Sequence, residues 1–171
     1  MRWQKGWAGI IVAVTVLVGG CGYAFQGSVP RSVVGRVYLT ITDANTFQGG
    51  LGRNLLVAVR QRITSAGGQV VEDRATADVV VEGAITGYAQ QALSFDVRDT
   101  ARRFRLTISL SLAVERQGGP RGGGIQEEVV GEAYYTTPAG VTEAKASEAE
   151  AARRAIESLA GQVMARMAEV R

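Results

Sequence analysis

The chain has no histidine and a single cysteine among its 171 residues, three prolines, and an aromatic content of 6%. Without histidine the common proton shuttles and nucleophile–base pairs cannot be built, which leaves carboxylates, lysine and tyrosine as acid–base groups. One thiol cannot close an intrachain disulfide, and with no histidine beside it a four-ligand metal site is out of reach. The apolar stretch from Trp7 to Val18, interrupted by Gly9 and Thr15, is too short to span a bilayer comfortably. Neither an enzyme, a metal centre nor a bound cofactor is expected.

What is present begins with that stretch. Arg2 and Lys5 precede it, and Val18-Gly19-Gly20 leads from it to Cys21, so the charged, apolar and small-residue parts of a secretory signal follow in order. The last part resembles a bacterial lipobox, at which signal peptidase II cuts before a cysteine whose thiol already carries a diacylglycerol. A secreted or membrane-anchored chain with an incidental thiol is the alternative, but it gives no reason for the position. Residues 1–20 are therefore expected to be a signal peptide and 21–35 a tether lipidated at Cys21, kept irregular by Gly22, Gly27, Pro30 and Gly35. Acyl chains there would hold the protein at a membrane surface, each buried methylene adding about 0.8 kcal/mol. Gly22 stands where, in enterobacterial-type sorting, an Asp would retain a lipoprotein at the inner membrane. The expected location is the periplasmic side of an outer membrane.

Removal of the signal takes Arg2 and Lys5 with it, so 19 basic residues become 17 against 16 acidic ones and the formal charge falls from +3 to +1. The high pI is then no argument for nucleic acid, which is not an expected partner. Residues 36–171 make one domain's worth of chain, with no internal repeat and no break that would divide them.

Val37, Leu39 and Ile41 alternate with Tyr38, Thr40 and Thr42, the period of a strand with one buried face. Leu51, Leu55, Val59 and Ile63 recur every fourth residue, and Gly67-Gly68 closes that run as a helix C-terminus does. After Val70-Val71 a long strand is predicted from about Asp78, with Val79, Val81 and Ile85 on one face, joined to the first by a parallel crossover. Phe104, Leu106, Ile108, Leu110, Leu112 and Val114 alternate with Arg103, Arg105, Thr107, Ser109, Ser111 and Glu115, which describes a central antiparallel strand with one wet face. A glycine-rich loop over 117–124 leads to a last strand over 129–136. From about Thr142 the period lengthens, and Ala152, Ile156, Leu159, Val163 and Met167 form one stripe; Ser147 and Glu150 offer a capping box as a later start. The fold class is α+β, two amphipathic helices packed on one face of a four-stranded mixed sheet in the order β-α-β-β-β-α.

Two patterns imitate chemistry. Asp96 with Asp99, or Glu127 with Glu128, could be imagined as paired acids, but strand neighbours point to opposite faces, so Glu127 and Glu128 cannot share a substrate. "GGLGRNL", residues 49–55, lies between a strand and a helix as a dinucleotide turn does, yet Leu55 stands where the third glycine belongs and six residues separate the strand from the glycines.

"CGYAFQG", the strand and helix ending "GGLGRNLLVAVRQRI", the phrase "ATADVVVEGAITGY", the alternating strand of 103–115 and the alanine-rich last helix together resemble the lipopolysaccharide-assembly lipoprotein family LptE, with Ala24 where relatives usually carry His. The resemblance implies a partner rather than a substrate turned over: the outer-membrane β-barrel LptD, whose lumen such a protein plugs and whose assembly it assists, and lipopolysaccharide on its way to the outer leaflet. A periplasmic accessory or regulatory lipoprotein of a secretion or cell-wall system is the alternative. Thr107, Ser109 and Ser111 on the wet face suit a polar barrel interior, although a plain solvated face would look the same. The segment "DVRDTARRFR", residues 96–105, is predicted as a turn carrying Arg98, Arg102, Arg103 and Arg105, an excess of two positive charges over Asp96 and Asp99. Arginine forks pair bidentately with phosphate and carboxylate, so these four are the expected lipopolysaccharide contacts; the alternative is that they only keep a hairpin soluble.

Overall fold

The computed structural model describes residues 35–44, 49–95, 101–118, 124–137 and 141–170. Strand β1 (Arg36–Asp43) is followed by helix α1 (Leu51–Ser65), a short strand β2 (Gln69–Val71), a 3₁₀ turn (Arg74–Thr76), the long strands β3 (Val79–Phe95) and β4 (Ala101–Arg116), strand β5 (Ile125–Thr136) and helix α2 (Val141–Glu169). The strands form one mixed sheet in the order β2-β1-β3-β4-β5.

The sheet has five strands, not four. Val70 and Val71 pair in parallel with Val37 and Tyr38 of β1, beside the predicted parallel partner β3. A three-residue strand is too short to show alternation, so pattern alone did not count it. Its position is set by the end of α1, where Gly67 takes a φ of +83° and Gly68 N–H donates to Ile63 O at 2.9 Å, turning the chain back beside β1.

The helix-facing positions in the middle of the sheet are apolar and sealed. Leu55, Val59 and Ile63 of α1 and Ala155, Leu159 and Val163 of α2 are fully buried against Val37, Ile85, Leu106, Ile108 and Leu110. Burying one such Leu or Ile contributes about 1.5–3 kcal/mol. The last helix begins at Val141, so Ser147 and Glu150 lie inside it and cap nothing, and β5 begins four residues ahead of the predicted Val129. The helix comes closest to the sheet over Gly131, where a β-carbon would stand 2.4 Å from Ala155 O and 2.7 Å from Leu159 Cγ. Only glycine lets α2 lie this near to β5.

A bulge between Ile85 and Gly87 divides β3. Before it Val79, Val81, Gly83 and Ile85 face the helices; after it Tyr88, Gln90 and Ala92 do, opposite Ile108, Leu106 and Phe104. The extra residue at Thr86 changes the parity of the strand. Strand β1 ends at the same level, with Asp43 opposite Ile85, so among the described residues the outer half of the sheet has only β3, β4 and β5.

Candidate partner-binding face

The sheet face away from the helices is built from the alternate residues of the same strands. Thr107, Ser109 and Ser111 of β4 stand between Ala89, Gly87 and Ala84 of β3 and Glu132, Val130 and Glu128 of β5. Small and hydroxyl-bearing side chains leave the middle of this face shallow, while every neighbouring apolar residue of β4 turns to the core. Val130 and Tyr134 rise from it near the β5 edge with 39% and 49% of their surface exposed.

One end of the face is partly roofed. Asp73 caps the 3₁₀ turn by accepting from Ala75 N–H at 2.9 Å, and Arg74 reaches over the sheet to Glu82 at 2.5 Å and Glu115 at 3.4 Å. Beneath it lies an open concavity of about 310 Å³ with Val80 and Ala113 in its lining. The turn explains why Val80, which points away from the helices, is nonetheless buried.

The structure describes three of the four predicted arginines and does not bring them together. Arg98, with Asp96 and Asp99, lies outside the described residues. The other three stand within β4 rather than in a turn, because the strand already starts at Ala101. Arg103 and Arg105 share the open face, opposite Ser94 and Gln91, and Arg105 Nη2 donates to Gln91 Oε1 at 2.5 Å. Arg102 alternates to the helix side, where its carbonyl accepts from Thr137 N–H at 3.0 Å. Cys21 also lies outside the described residues.

A second polar group, which the sequence reading missed, sits on the helix side beyond the bulge. Tyr88 donates to Glu148 Oε1 at 2.8 Å, Gln90 Nε2 to the same oxygen at 2.5 Å, and Tyr135 to Gln90 Oε1 at 2.8 Å. Phe104 stacks on Tyr135 with ring centroids 5.2 Å apart. Burial raises the Tyr88 hydroxyl well above the usual phenol range, helped by Glu148, so it remains a neutral donor. Tyr135 is raised in the same way, by burial first and by Glu148 second. No local motif announces this group, because its members come from β3, β5 and α2; the one available signal was the break in β3 periodicity after Ile85.

Among the described residues the imitated chemistry is absent from the fold. Asp43 accepts from Gly50 N–H at 3.1 Å and Gly52 N–H at 2.6 Å, so the amides at the start of α1 are held by the chain's own carboxylate where a phosphate would otherwise sit. Glu127 turns to the helix side and pairs with Arg166, whose guanidinium is held further into its charged form by that bond and by Glu169. Glu128 turns to the open face. Among the described residues no cluster of three or more acidic or thiol groups could hold a metal, and no helix is long and apolar enough to cross a membrane.

A five-stranded mixed sheet with two helices over one face and a hydroxyl-rich opposite face defines a two-layer α+β fold. The same fold occurs in the rare lipoprotein B of Shewanella oneidensis, at 13% identity with a TM-score of 0.59 over 78% of this chain and 93% of that one. It occurs also in a protein of Caulobacter crescentus CB15 described as a lipoprotein, at 15% identity with a TM-score of 0.53 over 77% of this chain and 87% of that one. No curated protein sequence matches the chain significantly. Residues 34–167 match the lipopolysaccharide-assembly family LptE, and the chain belongs to that family. Membership ties it to lipopolysaccharide assembly.

Proposed function

We propose that the protein is an outer-membrane lipoprotein, held on the periplasmic side through an acylated Cys21, that assembles with the lipopolysaccharide-transport β-barrel LptD, plugs its lumen and assists insertion of lipopolysaccharide into the outer leaflet. The observation that carries this reading is a family match running from the first strand to the last helix of a fold that leaves one sheet face bare. Barrel interiors are polar, and a face of Thr107, Ser109 and Ser111 with Glu128 and Glu132 beside them can meet such a wall without leaving apolar surface wet. In this reading residues 1–20 are removed, 21–35 span from the lipid to the fold, and 36–171 form the plug. In this reading Arg103 and Arg105, which share the open face, fork onto lipopolysaccharide phosphates, and Arg98 and Arg102 remain the other two expected contacts.

The test is affinity purification of the full lipoprotein from solubilised outer membranes, with a photo-reactive residue at Ser109 or, as a control, at Glu157 on the outer side of α2. A barrel-sized adduct from Ser109 and none from Glu157 is expected. Recovery of a secretion or cell-wall component instead would move the protein to the accessory class. For the anchor, Cys21→Ala is expected to leave an uncut precursor without lipid label, and palmitate incorporation at the wild-type level would refute acylation at that thiol.

A further inference from the structure

Sheet edges are where extended chains add, and this sheet treats its edges unequally. The β2 edge is three residues long. Along β5 the outward carbonyls of Val130 and Tyr134 accept from Gln162 Nε2 and Arg154 Nη2, both at 2.8 Å, so side chains of α2 occupy the groups a new strand would need. Beyond the bulge, β3 has a third edge on the side that β1 has left. Ala44 N–H donates to Ile85 O at 2.9 Å as the last rung among the described residues, and at Gly50 the chain is again beside Asp43. Gly87, Ala89 and Gln91 stand opposite Ser109, Thr107 and Arg105 and direct their backbone groups to β4; Tyr88, Gln90 and Ala92 direct theirs the other way, where no described strand or side chain meets them.

We propose that this outer edge of β3, residues Tyr88 to Ala92, accepts an extended segment of the barrel partner by β-strand addition. The inference rests on the function proposed above. The occupant's chemistry follows from the two sides of the edge. On the open face Gly87 and Ala89 leave the floor low, which admits large apolar side chains from every second residue of the incoming strand. On the helix side the incoming residues face Tyr88, Gln90 and the start of α2 at Glu148, whose carboxylate both side chains bond, which favours lysine or arginine. A second copy of the chain is disfavoured by the same charges, because pairing two β3 edges brings two such acidic helix starts together. The exposed Leu93 and Phe95, 43% and 58% open, extend the contact toward the end of the strand.

Proline separates the backbone from the side chain. Gln90→Ala and Gln90→Pro both lose the amide side chain, but only proline lacks the outward N–H, and because that N–H faces away from β4 the β3–β4 ladder survives. Barrel retention by the full lipoprotein is expected to fall at least fivefold in Gln90→Pro relative to Gln90→Ala, with equal thermal melts of the isolated proteins; equal retention overturns the proposal. Amide exchange of the unaltered protein reads the same edge without mutation. In isolation Tyr88, Gln90 and Ala92 should exchange fast and Ala89 and Gln91 slowly, and in the purified complex the first three should slow at least tenfold. A retained barrel with those three amides still fast overturns strand addition alone, whereas no retained barrel at all overturns the function with it. Protection that appears in the isolated protein and grows with its concentration overturns it in favour of self-pairing.

Discussion

The two halves of β3 each carry large apolar side chains, and these meet opposite fates. Val79, Val80, Val81 and Ile85 before the bulge are at most 2% exposed, while Leu93 and Phe95 after it are 43% and 58% exposed. The first half has a strand on each side, helices over one face and the 3₁₀ turn over the other; among the described residues the second has β4 alone beside it. Burial is decided by what neighbours a strand, and the chain supplies neighbours to one half only. The inner half holds the fold together, and the outer half leaves one row of backbone groups and the side chains of Leu93 and Phe95 open.

The largest test of that division compares Leu110, which pairs with Ile85 in the sealed half, with Phe95. Leu110→Ala is expected to cost about 2–5 kcal/mol in urea melts, because a fully buried side chain is replaced by a cavity among rigid neighbours. Ile156→Ala, on the facing stripe of α2, belongs to the same class. Phe95→Ser is expected to stay within about 0.5 kcal/mol of the parent, as substitutions on exposed positions do. A Phe95 cost equal to that of Leu110 would show that the outer half has a core of its own.

A smaller effect is expected where the two halves meet α2. The first turns of that helix are exposed at Thr142, Glu143 and Lys145, its fully buried side chains begin at Ala151, and Glu148 holds the intervening stretch to the sheet through Tyr88 and Gln90. Tyr88→Phe removes one hydrogen bond to a charged acceptor that is half withdrawn from water, a loss of about 1.5–3 kcal/mol where the acceptor finds no substitute and less where water replaces the hydroxyl. Exchange at the start of α2 should quicken while amides near Leu159 keep their rate. Uniform quickening along the helix would mean that the two halves open together.

The sealed half was legible in the sequence because its signals are local and repetitive. Leu55, Val59 and Ile63 keep a helical period, and Leu106 to Val114 keep a strand period, so both faces could be assigned before any packing was known. The four-strand count failed at Val70-Val71, where two apolar residues carry no period, and the turn predicted over 96–105 absorbed three arginines that belong to β4. The outer half was legible only in part, since its parity change turns on one residue, Thr86, whose bulge has no composition signal. The cluster of Tyr88, Gln90, Tyr135 and Glu148 was out of reach because hydrogen bonds among side chains 45 to 60 residues apart exist only once the sheet has formed. Asp43 was equally out of reach, because it lies seven positions ahead of Gly50 and only the fold brings its carboxylate to the start of α1.

The smallest expected effect lies at the opposite end of the sealed half, where the chain enters β1. Asp78 accepts from Arg36 N–H at 2.7 Å and pairs with its guanidinium at 3.1 Å, and a β-carbon on Gly35 would come within 2.5 Å of the same carboxylate. The guanidinium hydrogen bond first, and the backbone N–H second, hold the Asp78 carboxyl below its ordinary range. A carboxyl that ionises more readily folded than unfolded contributes its stability in full above the unfolded value, near pH 4, and loses it as pH falls through the folded value. Both side chains are about half exposed, 53% and 45%, so solvent screens the pair and the contribution is small. Urea midpoints measured from pH 6 down to pH 2 should therefore fall slightly more steeply for the parent than for Asp78→Asn, and the two curves should converge at the acid end. High salt should shrink the guanidinium part of that difference and leave the part due to the backbone N–H, which Arg36→Ala also retains. Parallel curves would mean that the entrance to β1 adds no pH dependence, and that the sealed half relies on apolar burial alone at the point where the chain joins the fold.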